Sequence, residues 1–216
     1  MTPDLWQQLV EKAITKEQLQ KMIESDFGLL PLAIGGVSSS RAALKYGCAS
    51  VLVNLSEKYP EELYSHMDFF VSLLESKYRV LIWNGLAAIA NLCAVDMDEK
   101  FDAIFDRYYG FLDDNYMVTV VSVVGNSGKI ALAKPYLVLR ITSELLRTGK
   151  LRVTQHLTEE CKRVIAEKAI ETFDVYFDMV GSEERAKVLS FVKKNKDSHR
   201  ESLRKEAEAF LKRRNV

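Results

Sequence analysis

The run Gly125-Asn126-Ser127-Gly128-Lys129 has the small residues and the lysine of a loop that cradles phosphate. Such a loop also needs a glycine five residues before the Gly-Lys pair, and a hydroxyl after it to hold magnesium. Val123 and Ile130 stand in those places. The plainer reading is adopted: small residues that let two helices approach or let one end. Asp96, Asp98 and Asp102 have the spacing of calcium ligands. A calcium loop opening at Asp96 would need glycine at its sixth position and glutamate at its twelfth. Phe101 and Arg107 are there instead. These acids are read as the start of a helix, where negative charge is favourable. His66, His156 and His199 lie far apart, with no cysteine or histidine at ligand spacing, so no metal or cofactor is expected. Cys48, Cys93 and Cys161 fall in apolar stretches and read as small core residues. Asp113-Asp114 is a carboxylate pair at a turn between helices, where acids serve as caps. No nucleophile carries a local signature. No catalytic residue is assigned, and a non-enzymatic role is expected.

Composition narrows the classes further. The 216 residues contain 30 Lys+Arg and 30 Asp+Glu, a net charge of zero, which excludes a generally basic nucleic-acid binder. With 48% hydrophobic residues, intrinsic disorder is excluded. Ten glycines and four prolines favour helices over a turn-rich sandwich. Three cysteines are too few for a disulfide framework, and a reducing compartment fits. Residues 1–15 contain Asp4, Glu11 and Lys12 and so lack a signal-peptide core. The apolar run 80–95 is interrupted by Asn84 and Asn91, and the run 117–133 by Asn126 and Lys129. Both read as buried segments of a soluble protein, and the expected location is cytoplasmic.

The chain repeats itself. Leu44, Tyr46, Cys48, Leu52 and Leu55 recur 37 residues later as Leu81, Trp83, Gly85, Ile89 and Leu92. Tyr78-Arg79-Val80 recurs after 38 residues as Tyr116-Met117-Val118. Aliphatic, aromatic and small classes return together at nearly one spacing, which is the signature of stacked supersecondary units. Each unit holds two helical patterns. The first is amphipathic: Leu63, Met67, Phe70 and Leu74 share a stripe, as do Phe101, Ile104, Phe105, Tyr108 and Leu112. The second, as in 81–94, is apolar nearly all round and must lie between neighbours. Pro3, Pro60 and Pro135 sit where first helices should start. Thr15-x-x-Gln18 and Ser198-x-x-Glu201 have the form of capping boxes. The Val-rich stretch 117–124 has strand composition, but the repeat register assigns it to a helix.

The expected fold is all-α: an N-terminal capping helix within residues 1–15, then five helix pairs at about 17–58, 61–94, 98–133, 135–179 and 182–214, forming one domain. The first pair is expected to break at Gly28, Pro31 and Gly35-Gly36, and the fourth to contain a long connection over 149–158. This pattern resembles HEAT or armadillo-type repeats, the class that includes the trunks of vesicle-coat adaptor subunits. The carriers are Leu44-Lys45 with Cys48 and Leu52, Leu203-Arg204 with Ala207 and Leu211, and Cys161-Lys162 with Ile165 and Ala169. Leu81-Ile82 keeps the apolar pattern without the basic residue. The third unit departs most, with Ser127 and Gly128 near the expected leucine. The resemblance implies a right-handed α-α superhelix with second helices lining a concave face that holds a protein or peptide partner.

That implication gives seven candidate partner-binding residues: Arg79, Trp83, Asn84, Asn91, Lys162, Arg200 and Arg204. Trp83 recurs as Tyr46, so packing between repeats ranks ahead of a binding role. Charge is uneven. Residues 56–116 hold 12 acids against 5 bases, and residues 185–216 hold 11 bases against 4 acids. The basic end reads first as a solvated terminal repeat. It could also meet an acidic partner, or pair with the acidic middle of another copy in a salt-sensitive self-association. A runner-up function is an alkylated-base DNA glycosylase, with Trp83, Asp113 and Arg79 at the lesion. The acidic surroundings would repel phosphate, so nucleic acid is not the expected partner. A lyase of the phycobilin-attachment kind ranks third, with no chromophore signature.

Overall fold

Four of the five second helices start in the same way, one turn-forming side chain ahead of the helix; the fifth, Glu159–Tyr176, starts on Thr158, whose hydroxyl accepts the Cys161 amide. Ser39, Ser76 and Ser198 Oγ accept the amides of Arg41, Tyr78 and Arg200 at 3.1, 3.1 and 3.3 Å, and Asp114 does the same for Tyr116 at 2.8 Å. Each acceptor lies two residues before its donor, a turn that competes locally with helix and so fixes where helix begins. Ser198 therefore does not cap Glu201 through a capping box. The helix starts later, with Arg200 as its N-cap. The box at Thr15 does form: Thr15 Oγ1 accepts from the Gln18 amide, and Gln18 accepts from the Thr15 amide.

The computed structural model describes residues 14–216, and every regular element among them is a helix. The proposed capping helix and Pro3 lie outside the described residues. The chain divides into two compact units, one ending at Val95 and one running from Asp96 to Val216.

The first unit contains α1 (Lys16–Ser25), α2 (Leu30–Val37), α3 (Ala42–Lys58), α4 (Pro60–Tyr64), α5 (Met67–Ser72) and α6 (Arg79–Leu92). The break before α2 is made by Asp26, whose carboxylate accepts the Gly28 amide at 2.9 Å. Pro31 and Gly35-Gly36 do not break the chain; they lie inside α2. Pro31 sits in its first turn, where the missing amide costs nothing. The stripe Leu63, Met67, Phe70 and Leu74 is buried as its period requires. The helix that carries it is interrupted at Ser65-His66, between α4 and α5. The unit closes through packing of α6 on α3 and α5.

The second unit contains α7 (Lys100–Gly110), α8 (Met117–Ala133), α9 (Val138–Arg147), α10 (Glu159–Tyr176), α11 (Ser182–Asn195) and α12 (Glu201–Arg213). The Val-rich stretch is helix, as its register required; burial of Val120, Val123 and Val124 outweighs strand propensity. Gly125 to Lys129 is likewise mid-helix, so no phosphate loop exists there. A Cβ on Gly128 would meet the Val175 side chain at 3.3 Å, which marks a close approach of α8 and α10. Buried polar groups at that contact are satisfied: Tyr109 donates to Ser127 Oγ at 3.1 Å and Thr172 to the Val124 carbonyl at 3.1 Å.

The unit opens on a buried ionic cluster. Asp96 accepts the Lys100 and Phe101 amides, both at 2.9 Å, and so caps α7. Lys134, 3% exposed, places Nζ 3.0 Å from Asp96 and 3.1 Å from Asp102. It also donates to the Tyr136 hydroxyl, which donates to Asp102 at 2.9 Å. Burial alone would lower the Lys134 pKa. Hydrogen bonds to Tyr136, Asp96 and Asp102 reverse that and hold it above the ordinary lysine range.

Candidate functional site

Burial along the second helices leaves one open stripe on each. On α3 it is Tyr46, Gly47, Ser50, Asn54 and Glu57; on α6 it is Val80, Trp83, Asn84 and Ala87. The steps of three and four residues place each set on one helical face. The two sets are also equivalent at the 37-residue spacing: Tyr46 matches Trp83, Gly47 matches Asn84, and Ser50 matches Ala87.

At the start of this surface an aromatic and cationic cluster forms. Lys45 Nζ lies 3.9 Å above the Tyr78 ring centroid, and Lys77 Nζ 5.2 Å from it. Tyr46 meets Tyr78 edge to face at 6.4 Å. Lys45 is a buried lysine on an aromatic face, which a cation–π contact stabilises. Its hydrogen bond lowers the Tyr78 hydroxyl below the usual tyrosine value. Arg79 is the first residue of α6 and half-buried, as are Trp83 and Asn84 one turn on. Asn84 makes no side-chain hydrogen bond among the described residues, so its donor and acceptor both remain for a ligand.

Asn91 occupies the next stripe position, but it is buried at 8% exposure. Its amide donates to Ser56 Oγ at 3.0 Å and toward the Val53 carbonyl at 3.4 Å. Asn91 joins α6 to α3, and the sequence could not distinguish it from Asn84 because both interrupt an apolar run.

In the second unit the open stripe of α8 is Val118, Ser122, Gly125, Lys129 and Leu132, and that of α10 is Val164, Lys168, Glu171 and Val175. Val118, Leu132 and Val175 are exposed aliphatic residues on these helices. Lys162 lies off the stripe and pairs with Glu159 at 3.3 Å. Arg200 binds Glu167 at 2.6 Å and Glu160 at 2.5 Å, joining α12 to α10. Those two carboxylates raise its pKa further. Arg204 donates to the Ser198 carbonyl at 3.1 Å. Arg200 thus ties α12 to α10, and Arg204 closes the turn before its own helix. Of the seven candidates, Arg79, Trp83 and Asn84 come together, Asn91 is structural, and Lys162, Arg200 and Arg204 belong to the other unit. Cys48 and Cys93 are core residues, and burial pushes the Cys48 thiol up to about 11. Cys161 departs from expectation: it is half-exposed in the first turn of α10, beside Thr158 Oγ1 at 3.3 Å.

Sequence reasoning missed a charge ladder between first helices. Asp102, Asp106 and Asp113 meet Tyr136, Arg140 and Arg147 at 2.9, 3.0 and 2.9 Å, each pair 34 residues apart. In the first unit Gln20 meets Asn54 and Glu24 meets Lys58 at the same separation, but there the contacts join α1 to the second helix α3. Acid-to-base pairs at a fixed 34-residue step were the signal that could have revealed it. Among the described residues no group of three or more His, Cys, Asp or Glu side chains is placed to hold a metal ion, and no helix is long and apolar enough to cross a membrane.

No family model matches the sequence, and no curated protein matches it. Solved structures do match. One is a designed armadillo repeat protein at 19% identity and TM-score 0.56. Another belongs to computationally designed armadillo repeat proteins for modular peptide recognition, at 19% identity and TM-score 0.59. A third is a designed armadillo repeat protein in complex with the peptide (KR)4, at 18% identity and TM-score 0.58. Each comparison covers 98% of this chain and 94% of the other. At this identity the likeness establishes the fold: an all-α, armadillo-type helical repeat.

Proposed function

We propose that the protein is a non-enzymatic, cytoplasmic interaction scaffold, and that the open stripe of the first unit holds an extended peptide from a partner protein. The observation that supports this most is the pairing of Trp83 with Asn84 on one open face, beside Tyr46, Tyr78 and Arg79. An extended peptide exposes backbone donors and acceptors that a free Asn amide can bind, while a half-buried tryptophan offers an anchor surface of the hot-spot kind. The likeness to designed peptide-recognising repeat proteins points the same way. The glycosylase reading gains no support, because Asp113, its proposed acid, is engaged by Arg147 at 2.9 Å.

The test is peptide selection by display on the immobilised protein, followed by fluorescence anisotropy in solution. Trp83→Ala should weaken the selected peptides at least about tenfold, the loss expected of an anchor residue. Asn84→Ala should weaken them by several-fold with unchanged melting. Asn91→Ala should do the reverse, lowering stability by about 1–2 kcal/mol for a lost buried hydrogen bond. Equal peptide affinity in wild type, Trp83→Ala and Asn84→Ala would remove the reading, as would a turnover activity that survives both changes.

A further inference from the structure

The second unit holds a cleft that the open stripes do not include. It lies where the C-terminal end of α9, the start of α10 and the C-terminal end of α11 converge, and its volume is about 440 Å³. That falls within the ~300–1,000 Å³ typical of ligand-holding clefts. Leu146, Ala166 and Phe191 line it and are each only half-buried, so its floor is apolar and reachable. A Cβ on Gly149 would meet the Phe191 ring at 3.1 Å, which fixes that ring against the backbone beside the cleft.

The rim is basic. Lys150, Lys162, Arg163 and Lys194 face two acids, Glu159 and Asp197. Lys162 and Arg163 are partly neutralised by Glu159 and Glu160, one turn earlier on α10. Lys150 and Lys194 differ. Both are exposed, and neither pairs with a carboxylate among the described residues. Lys150 also borders two neighbouring clefts of mixed charge, one with Arg147, Arg152, Asp113 and Asp114 and one with Arg140, Lys187 and Glu184. The segment that carries Lys150 is the longest connection in this unit: α10 does not start until Glu159, whereas the connections 111–116 and 196–200 are short. Insertions into one repeat of an array commonly carry binding function.

We infer that this cleft is a second docking site, and that its occupant is an acidic peptide segment with an aliphatic residue between two carboxylates. The aliphatic side chain lies on Phe191, Leu146 and Ala166, and the flanking carboxylates meet Lys150 on one wall and Lys194 on the other. Charge complementarity selects this occupant: unpaired ammonium groups stand over an apolar floor, an arrangement that disfavours a basic segment and rewards both features of an acidic, aliphatic one. The site is built from second-unit residues alone, and Trp83 and Asn84 belong to the first, so it does not depend on the reading of the first unit.

The probe is a fluorescein-labelled peptide of alternating Glu and Leu, titrated by anisotropy at low salt. Saturable binding is expected, weakening as salt rises. Lys150→Glu/Lys194→Glu should lower affinity at least tenfold, with the helical circular dichroism and melting of wild type. Lys212→Glu, a control at an exposed position on α12, should change it less than about twofold. Trp83→Ala should leave it unchanged, so failure here and failure of the first-unit proposal are separable. Three results would each overturn the inference: no saturable binding, equal binding of the peptide with Lys in place of Glu, or an equal loss in Lys212→Glu. The first would show a cleft without a peptide role, and the others a general charge effect.

Discussion

Replacing Lys134 by alanine is expected to destabilise the protein by about 3–5 kcal/mol, the cost of leaving a buried charge without its partner. Asp96 is buried and accepts two backbone amides at the start of α7, so its carboxylate cannot turn to water when the ammonium is removed. For a chain of this size the loss corresponds to a fall in Tm of roughly 10 °C. Lys134→Ala/Asp96→Asn should be less damaging than the two single losses added together, because each change relieves the charge the other strands. The pH dependence has a definite sign. The folded-state pKa of Lys134 is raised, so its contribution is complete below the ordinary lysine value of about 10.4 and declines as pH climbs above it. Wild type should therefore converge on Lys134→Ala in alkaline urea titrations. A constant gap from pH 8 to pH 11.5 would show that the pair contributes nothing through ionisation.

The same cluster explains what charge counting could not see. By windows of sequence, the middle is acidic and the end is basic. In the second unit many of those charges meet their opposites one repeat away: Asp106 with Arg140, Asp113 with Arg147, Glu160 and Glu167 with Arg200, and Asp174 with Arg213 and Arg214. Arg214 also sits 4.8 Å from the ring centroid of Phe177, just past the end of α10. Exposed pairs of this kind contribute about 0–1 kcal/mol each. Their larger consequence is that they leave fewer charges for head-to-tail pairing between copies. A net charge per window records how many acids lie near one another in sequence. It does not record that a base waits about one repeat further on.

The elements themselves were largely legible, for a reason that also marks the limit. Burial follows from periodicity, and periodicity survives imperfect helix. Leu63, Met67, Phe70 and Leu74 are buried although the helix stops at Ser65-His66, because the two short helices continue one face. The 117–133 helix was legible only through its register with 81–94; composition alone pointed to strand. Local backbone chemistry was less visible. Ser39, Ser76, Asp114 and Ser198 do not share one residue type, so the recurring turn was hidden from letter matching. Ser198-x-x-Glu201 looked like a capping box when the serine was serving the turn before it. On the candidate face, Asn84 and Asn91 lie on the same stripe, and only the neighbouring helix decides which one is covered.

Gly85 tests the packing that the repeat depends on. In the 37-residue match the small residue of the first repeat is Cys48 and that of the second repeat is Gly85. A Cβ on Gly85 would stand 2.9 Å from the Phe70 carbonyl oxygen and 3.1 Å from Leu73 Cβ. A backbone carbonyl and a Cβ cannot swing aside as a side-chain tip would, so α6 must move away from α5. Overpacking of this kind costs about 1–3 kcal/mol, against about 1 kcal/mol gained from replacing glycine within a helix. Gly85→Ala should therefore destabilise by up to about 2 kcal/mol and Gly85→Val by about 3 kcal/mol, read from urea midpoints. The first repeat has the same contact with the roles exchanged. A Cβ on Gly36 would run into Cys48 Sγ. Gly36→Ala should lose stability, and Cys48→Ala in the same chain should restore much of it by removing the sulfur. Gly35 supplies the control. It lies in the same helix with nothing within 4 Å of its ideal Cβ, so Gly35→Ala should stabilise by about 0.4–1 kcal/mol. If Gly85→Ala behaved like Gly35→Ala, α6 would be free to shift, and close contact at that position would not be what keeps neighbouring helices in register.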